Sequence, residues 1–272
     1  MNSHGGGLAP VLATRCRRVD VDQHVTFMIP RAVGFAPTLE GMHLFFDLDG
    51  TLTDSSPGII RCINHALGEL GLEEVADDRL LGMIGAPLTT IFEAVLGSSD
   101  VNVLDRAVAA YRTRFNDVGI FENALFPGIS EALDVFQKSG HDLQIVTAKP
   151  AVSARRVIDH FGVARFFDQV HGPGLGDRSC DKAALVAAAL RVAGNQKNQA
   201  VMIGDRAEDV RAGRANEIWA VGVAWGYGSR RELAAAGPAY LAENVAALVQ
   251  WVNDASAGRP TLFPAPSAAT TA

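Results

Sequence analysis

The chain has 272 residues, of which 48% are hydrophobic, so it can bury a large core without disulfide or metal support. Its 30 acidic and 24 basic residues give a net charge of -6, which argues against a broad nucleic-acid surface. No run of about 18 apolar residues occurs, so we expect neither a membrane span nor a membrane partner.

The two ends of the chain differ in composition from the rest. Residues 1–41 include a basic cluster but show no sustained periodicity and no apolar stretch of the kind that a secretory signal needs. Nearby aspartates count against a transit peptide. We therefore expect a disordered extension, with Met42 as an alternative natural start, and a disordered tail at residues 254–272.

The cysteines indicate the redox environment. Cys16, Cys62 and Cys180 are scattered, odd in number and free of any CxxC or His-Cys spacing, so no metal site or disulfide framework is expected from them. Reduced thiols are typical of cytoplasmic proteins, and the cytoplasm is the expected location.

A short apolar run, His43-Leu44-Phe45-Phe46, is followed by Asp47 and predicts a buried strand. Further strands are predicted at Leu143 to Val146, Phe166 to Val170, Ala200 to Ile203 and Trp219 to Val223. Helical stretches run from Ile129 to Ser139, Val152 to Phe161, Asp181 to Ala193 and Ala207 to Ala215. This alternation predicts an α/β fold with a three-layer, Rossmann-like parallel sheet core.

The long interval between the first and second strands breaks the alternation. From Pro57 to about Asn123 the apolar spacing is helical, with glycines at the expected helix ends. The pattern predicts an inserted all-helical cap domain at residues 57–123, and a core formed by residues 42–56 and 124–253.

Polar residues gather at the predicted carboxyl ends of strands, where open parallel sheets bind ligands. They are Asp47 and Asp49 after the first strand, Thr147 after the second, Lys182 at a helix start, and Asp205 and Asp209 after the fourth. A carboxylate can attack phosphorus only when the charge of the phosphate is neutralised. Lysine, a hydroxyl and carboxylate-bound Mg²⁺ together can neutralise it.

The residue types suggest a division of roles. Asp47 would attack phosphorus and, with Asp205, hold Mg²⁺. Lys182 and the Thr147 hydroxyl would bind phosphate oxygens, while Asp49 would protonate the leaving group and then activate water.

Each of these residues also has a purely structural explanation. Asp49 precedes a glycine as in a common turn, Asp205 could cap a helix, and Asp209 could pair with a neighbouring arginine. Thr147 could simply end a strand, and most lysines face solvent. We favour the catalytic interpretation because these explanations would all have to hold at once, on the correct strand ends.

These motifs resemble those of the haloacid dehalogenase superfamily, specifically its phosphatase branch, over residues 42–253. The four matching stretches are Asp47-Leu48-Asp49-Gly50-Thr51-Leu52, Val146-Thr147-Ala148-Lys149-Pro150, Lys182, and Gly204-Asp205-Arg206-Ala207-Glu208-Asp209. The resemblance implies Asp47 as nucleophile, Asp49 as acid/base with a carbonyl that ligates Mg²⁺, and Asp205 as the acidic metal ligand. It also implies metal support by Asp209, phosphate binding by the Ala148 amide, and strand order 5-4-1-2-3.

The position of the cap resembles that of the phosphoglycolate phosphatase group. Similar stretches are Thr53-Asp54-Ser55-Ser56-Pro57-Gly58-Ile59, Gly85-Ala86-Pro87-Leu88 and Trp225-Gly226-Tyr227-Gly228-Ser229. A haloalkanoate dehalogenase would not be expected to carry an acid at position 49. A phosphonate hydrolase would use a cap lysine, and none occurs between Asp49 and Lys138.

The expected function is Mg²⁺-dependent hydrolysis of a small phosphorylated metabolite, phosphoglycolate-like, through an aspartyl-phosphate. Alternatives are a β-phosphoglucomutase-like phosphomutase, a 5'-nucleotidase or sugar phosphatase, and a non-catalytic binder of phosphorylated ligands. Candidate substrate contacts in the cap are Arg61, His65, Arg79 and Thr89. Whether the protein is a monomer or a homodimer stays open.

Overall fold

A parallel sheet forms the centre of the protein, whose computed structural model describes residues 41–175, 177 and 180–258. The strands are β1 (His43–Phe46), β2 (Thr53–Asp54), β3 (Ala124–Leu125), β4 (Asp142–Val146), β5 (Gln169–His171), β6 (Ala200–Gly204), β7 (Trp219–Val223) and β8 (Tyr240–Ala242). The sheet has the order β5-β4-β1-β6-β7-β8, and every neighbouring pair is parallel. The five predicted core strands are β1, β4, β5, β6 and β7 in chain order. Numbered one to five, they read 5-4-1-2-3 from β7 to β5, which confirms the predicted order, and β8 is added beyond β7.

Helices cover both faces of this sheet. They are α1 (Ser56–Glu69), α2 (Asp77–Leu81), α3 (Leu88–Leu96), α4 (Val101–Asp117), α5 (Ile129–Lys138), α6 (Ala151–His160), α7 (Lys182–Val192), α8 (Ala207–Ala215), α9 (Arg230–Ala236) and α10 (Val245–Ser256). Leu44 and Phe46 of β1 join the same apolar cluster as Leu133 of α5, whereas Phe45 packs with Val186 of α7 on the other face. Burial on both faces explains why β1 is continuously apolar.

The segment between β1 and β4 is helical, as the sequence predicts. Helices α1 to α4 follow one another there, and the antiparallel pair of β2 and β3 joins the two ends of the segment, with Thr53 opposite Leu125. An α/β core with an inserted helical cap is therefore the fold. Within the described residues, the helices are all too short or too polar to traverse a bilayer.

The expected bounds of the third core strand and of the C-terminal tail need correction, and most of both predicted terminal segments falls outside the described residues. The third core strand is not Phe166 to Val170, because Ala164–Phe166 forms a 3-10 turn and the strand begins at Gln169. The backbone N–H of Phe166 is bonded to Val163 and is therefore unavailable to the sheet. The predicted tail begins too early, since α10 continues to Ser256. Residues 1–40 and 259–272 lie outside the described residues.

Helix α1 approaches the turn after α4 very closely through Gly58. A Cβ atom on Gly58 would lie 2.2 Å from the carbonyl oxygen of Gly119 and 2.8 Å from that of Glu122. Neither partner is a flexible side chain, and the Gly58 amide itself donates to Glu122 O at 3.0 Å. The base of the helical segment therefore requires glycine at this position.

We predict that Gly58→Ala lowers the free energy of unfolding by about 1–3 kcal/mol, because the added methyl group forces the two backbones apart. The matched control is Gly68→Ala in the same helix, where a Cβ would meet nothing within 4 Å. That change should be neutral or stabilise by about 0.5–1 kcal/mol, since alanine favours helix. Urea unfolding of both variants measures the difference, and equal effects would contradict the packing argument.

Candidate active site

The centre of the site is Asp47, which directly follows the central strand β1. Its amide donates to Ile203 O of β6 at 2.9 Å, and its side chain is buried. Because β4 and β6 flank β1 in parallel, Thr147 and Asp205 emerge at the same edge of the sheet. The predicted meeting of the strand-end residues is therefore observed.

A buried ammonium group holds Asp47 in place. Lys182 Nζ lies 2.9 Å from Asp47 Oδ2 and also forms an ion pair with Asp209 Oδ1. Burial alone would lower the pKa of Lys182, but the attraction of Asp209 and Asp47 outweighs it and raises that pKa. Lys182 begins α7, whose N-terminus is capped by the Asp181 side chain on the amide of Ala184. The lysine is thus a fixed positive charge against the candidate nucleophile.

Asp205 is fully buried, and no cationic side chain of the described residues contacts it directly. Its carboxylate accepts from Thr51 Oγ1 at 3.1 Å and from the Tyr227 amide at 2.8 Å. Burial, and then repulsion from Asp47, raise the pKa of Asp205 to about 6. A divalent cation would remove this repulsion.

Glycines pack tightly around Asp205, which explains why the stretch Trp225-Gly226-Tyr227-Gly228-Ser229 contains two of them. A Cβ on Gly226 would lie 2.3 Å from Asp205 Cβ, and one on Gly228 would lie 1.9 Å from Asp205 O. Gly50 has φ +86° and faces the Asp205 carboxylate equally closely. The stretch from Trp225 to Ser229 therefore wraps the candidate metal ligand, and Trp225 Nε1 closes it by donating to Thr51 O at 3.0 Å.

Asp209 supports the site from the first turn of α8. Its Oδ2 accepts from the Arg206 amide at 3.0 Å, while Oδ1 pairs with Lys182. Burial raises the pKa of Asp209, while the nearby Lys182 opposes the rise. Asp209 thus links the start of α8 to the Lys182 ammonium group that also contacts Asp47.

The chemistry of these donors fits Mg²⁺. Asp47, Asp205 and Asp209 each offer a carboxylate oxygen, and these oxygens lie within 4.8 Å of one another. Asp47 Oδ1 is buried and has no hydrogen-bond partner in the described part of the chain. Hard oxygen donors converging on an unpaired buried carboxylate oxygen are what Mg²⁺ prefers.

The sequence analysis gave no role to Lys149, although this residue falls within the second recognised stretch. Its Nζ lies 2.6 Å from Asp49 Oδ2, and its ammonium sits 5.0 Å from the centre of the Phe115 ring on α4. Asp49 Oδ1 has no hydrogen-bond partner among residues 41–175, 177 and 180–258. The available signal was the position of Lys149, two residues after Thr147 at the end of a core strand.

Thr147 and Ala148 stand beside the two aspartates. Together with Asp47 and Asp49 they line a pocket at the strand ends. The Thr147 amide bonds to His171 O at 2.9 Å, which fixes it to β5, and its hydroxyl accepts from the Lys149 amide at 3.2 Å. Lys182 lies behind Asp47, within reach of its carboxylate, and is not part of the described pocket wall.

The opposite wall of the pocket comes from the helical segment. It includes the stretch Gly85-Ala86-Pro87-Leu88 and residues of α3 and α4. Of the four candidate substrate contacts, only Thr89 lines the pocket. Arg61 pairs with Glu122 at 3.0 Å, Arg79 reaches Ala94 O at 3.5 Å, and His65 is exposed. Arg112 of α4, which sequence reasoning did not single out, does line it.

Comparison with known proteins agrees with this geometry. Residues 44–223 match the family model described as haloacid dehalogenase-like hydrolase. A 5'-nucleotidase of Pseudomonas aeruginosa is 38% identical over 208 residues, which cover 76% of this chain and 94% of that protein. A phosphoglycolate phosphatase of Colwellia psychrerythraea is 29% identical over 206 residues, covering 72% and 89% respectively.

A relative with a different name also matches. The tyrosine-protein kinase PtkA of Mycobacterium tuberculosis is 35% identical over 186 residues, which cover 68% of this chain but only 62% of that protein. Among solved structures, a predicted phosphatase from Clostridium acetobutylicum superimposes with a TM-score of 0.74 at 31% identity, covering 79% of this chain and 99% of that one. The chain therefore belongs to the haloacid dehalogenase-like hydrolases and is a phosphoric monoester hydrolase of that family.

Proposed function

We propose that the protein is a Mg²⁺-dependent phosphatase that removes the phosphoryl group of a small metabolite through an aspartyl-phosphate on Asp47. The observation that carries the proposal is the state of the Asp47 carboxylate. One oxygen is held by Lys182 at 2.9 Å, and the other is unpaired within the described residues. A fixed, partly free carboxylate on the pocket wall is arranged for in-line attack on phosphorus.

Asp49 would act as the proton carrier in both half-reactions. As Asp47 forms its bond to phosphorus, the ester bond breaks and Asp49 gives its proton to the leaving oxygen. Asp49 then takes a proton from water, whose oxygen attacks phosphorus and releases phosphate and the Asp47 carboxylate. Lys149 would hold one oxygen of Asp49 throughout, leaving the other free for proton transfer.

The remaining residues would neutralise the phosphate charge. Bound Mg²⁺, held by Asp47, Asp205 and the Asp49 carbonyl, would supply electrostatic stabilisation of the charge that develops on the phosphoryl oxygens. Thr147 and the Ala148 amide would bind those oxygens, and Lys182 would compensate charge through Asp47.

The relatives suggest which substrates to test and which competing reaction to exclude. Phosphoglycolate, nucleoside monophosphates and sugar phosphates are the candidate classes. Because PtkA is named a tyrosine-protein kinase, one competing reaction is transfer of the phosphoryl group to an acceptor other than water. A phosphomutase would also transfer the group to such an acceptor, in its case a sugar. Release of one phosphate per ester consumed, without isomerised product, distinguishes hydrolysis from both. The free cysteines Cys62 and Cys180 suit a reducing compartment, and we propose the cytoplasm.

Asp47→Asn should abolish Mg²⁺-dependent phosphate release, by at least about 10³-fold in kcat, because the amide cannot form the covalent intermediate. Asp159→Asn is the matched control, since it removes the same charge from an exposed site on α6. A phosphate-release assay over a metabolite panel measures both variants. Retention of activity in Asp47→Asn would disprove the covalent mechanism.

Asp205→Asn should remove most of the stabilisation that Mg²⁺ gives. Binding at 100 times Kd raises the free energy of unfolding by about 2.7 kcal/mol, and the neutral amide loses the charge that attracts the cation. Without Mg²⁺, the same variant should unfold at an equal or higher temperature, because it relieves repulsion from Asp47. Thermal unfolding with Mg²⁺ and with EDTA tests this, and an undiminished Mg²⁺ shift would exclude Asp205 as a ligand.

Lys149→Ala should lower kcat by about 10- to 100-fold, because Asp49 loses the group that positions it. Lys138→Ala is the matched control, because Lys138 also pairs with an aspartate at 2.6 Å, but on the surface. Steady-state kinetics on one substrate, with circular dichroism to verify folding, compares the two. Equal kcat values for the variants would show that the Lys149–Asp49 pair is structural only.

A further inference from the structure

One face of α4 forms part of the pocket wall and is largely apolar. Val108, Tyr111, Arg112, Phe115 and Asn116 line the pocket, and their spacing of three and four residues places them on one helix face. Val108, Tyr111 and Phe115 are buried, and Arg112 is half-buried between them. On its own helix face, Arg112 is therefore flanked by residues that carry no negative charge to compensate the guanidinium group.

Arg112 differs from the other cations around the site because it has no partner among the described residues. Lys149 pairs with Asp49, Lys182 with Asp47, and Arg114 with Glu122 at 2.7 Å. Arg112 forms no ion pair or hydrogen bond with the part of the chain that the structure describes. Charged side chains rarely face an apolar surface unpaired, because the lost hydration is not replaced. The missing partner is therefore expected from the ligand.

We propose that Arg112 binds a second anionic group of the substrate, so that the preferred substrates are phosphate monoesters that also carry a carboxylate or similar anion. This inference rests on the proposed phosphatase function and adds the substrate class. A guanidinium group presents parallel N–H donors that match a carboxylate in a bidentate pair. Three described carboxylates line the pocket, and each has another partner: Asp47 and Asp49 pair with lysines, and Asp177 Oδ2 accepts from the Gly174 amide at 2.7 Å.

The competing occupant is a nucleobase, which could stack on the guanidinium plane. Stacking would leave the Arg112 charge uncompensated between Val108, Tyr111 and Phe115, whereas an anion neutralises it. The pocket wall therefore favours acidic phosphate esters over nucleoside monophosphates.

The test compares esters that differ in the second charge. The probes are 2-phosphoglycolate against ethyl phosphate, 3-phosphoglycerate against glycerol 3-phosphate, and 5'-AMP. The variants are Arg112→Ala, Arg112→Lys and Arg106→Ala, the last an exposed arginine on the same helix that does not line the described pocket. Thermal unfolding confirms that each variant folds.

We expect the wild type to prefer the acidic member of at least one pair by about tenfold or more in kcat/KM. Arg112→Ala should lower kcat/KM for that acidic ester by about 10- to 100-fold, and for its partner without the carboxylate by less than about threefold. Arg112→Lys should recover part of the loss, and Arg106→Ala should change neither ester.

Three results would overturn the inference while leaving the phosphatase intact. They are equal losses on esters with and without the carboxylate, no loss on any ester, and a loss confined to 5'-AMP. A wild-type enzyme that releases phosphate from none of the esters with Mg²⁺ would instead refute the proposed function, and this inference with it.

Discussion

The site depends on one buried ammonium group shared by two carboxylates. Asp47 and Asp209 come from different segments of the core, and Lys182 lies between them. Removing one partner from a buried ion pair costs about 3–5 kcal/mol, because the other charge is left uncompensated. Lys182 therefore holds the Asp47 carboxylate in place at the end of β1, where the other strand-end residues meet it.

Asp205, unlike Asp47, is held by neutral hydrogen-bond donors. It receives a hydroxyl and an amide rather than a cation, and glycines at positions 50, 226 and 228 let the backbone close around it. A carboxylate buried in this way remains short of positive charge, as its raised pKa shows. Lys182 thus compensates the charge of Asp47, whereas Asp205 accepts only from neutral donors among the described residues, which suits the cation that we propose there.

Most of the fold could be predicted from local sequence patterns. Strand β7 and helix α8 have the predicted bounds, and the strand-end aspartates converge because parallel strands end at the same edge. The third core strand was misplaced because Phe166 and Phe167 look like strand residues, although a 3-10 turn uses the backbone N–H of each. Short elements such as β8 and α2 offer too few residues for a periodic signal.

The parts of the site that escaped prediction depend on contacts that are distant in sequence. Lys149 reaches Asp49 across 100 residues, and although its place after a core strand pointed to the site, the sequence did not show which residue it contacts. Arg112 is one of several arginines on α4, at positions 106, 112 and 114. Only the packing of α4 decides which of them faces the pocket, and composition does not reveal it.

Tyr227 and Lys149 each contact both a strand-end aspartate and the helical segment. The Tyr227 amide bonds to Asp205, while its hydroxyl accepts from the amides of Ser55 and Ser56 at the start of α1 and donates to Asp54. Burial raises the pKa of Tyr227, which keeps that hydroxyl a neutral donor. Lys149 similarly contacts Asp49 and the ring of Phe115. A movement of the helical segment would therefore disturb Asp49 and Asp205 together, the residues that we propose as the acid/base and as a metal ligand.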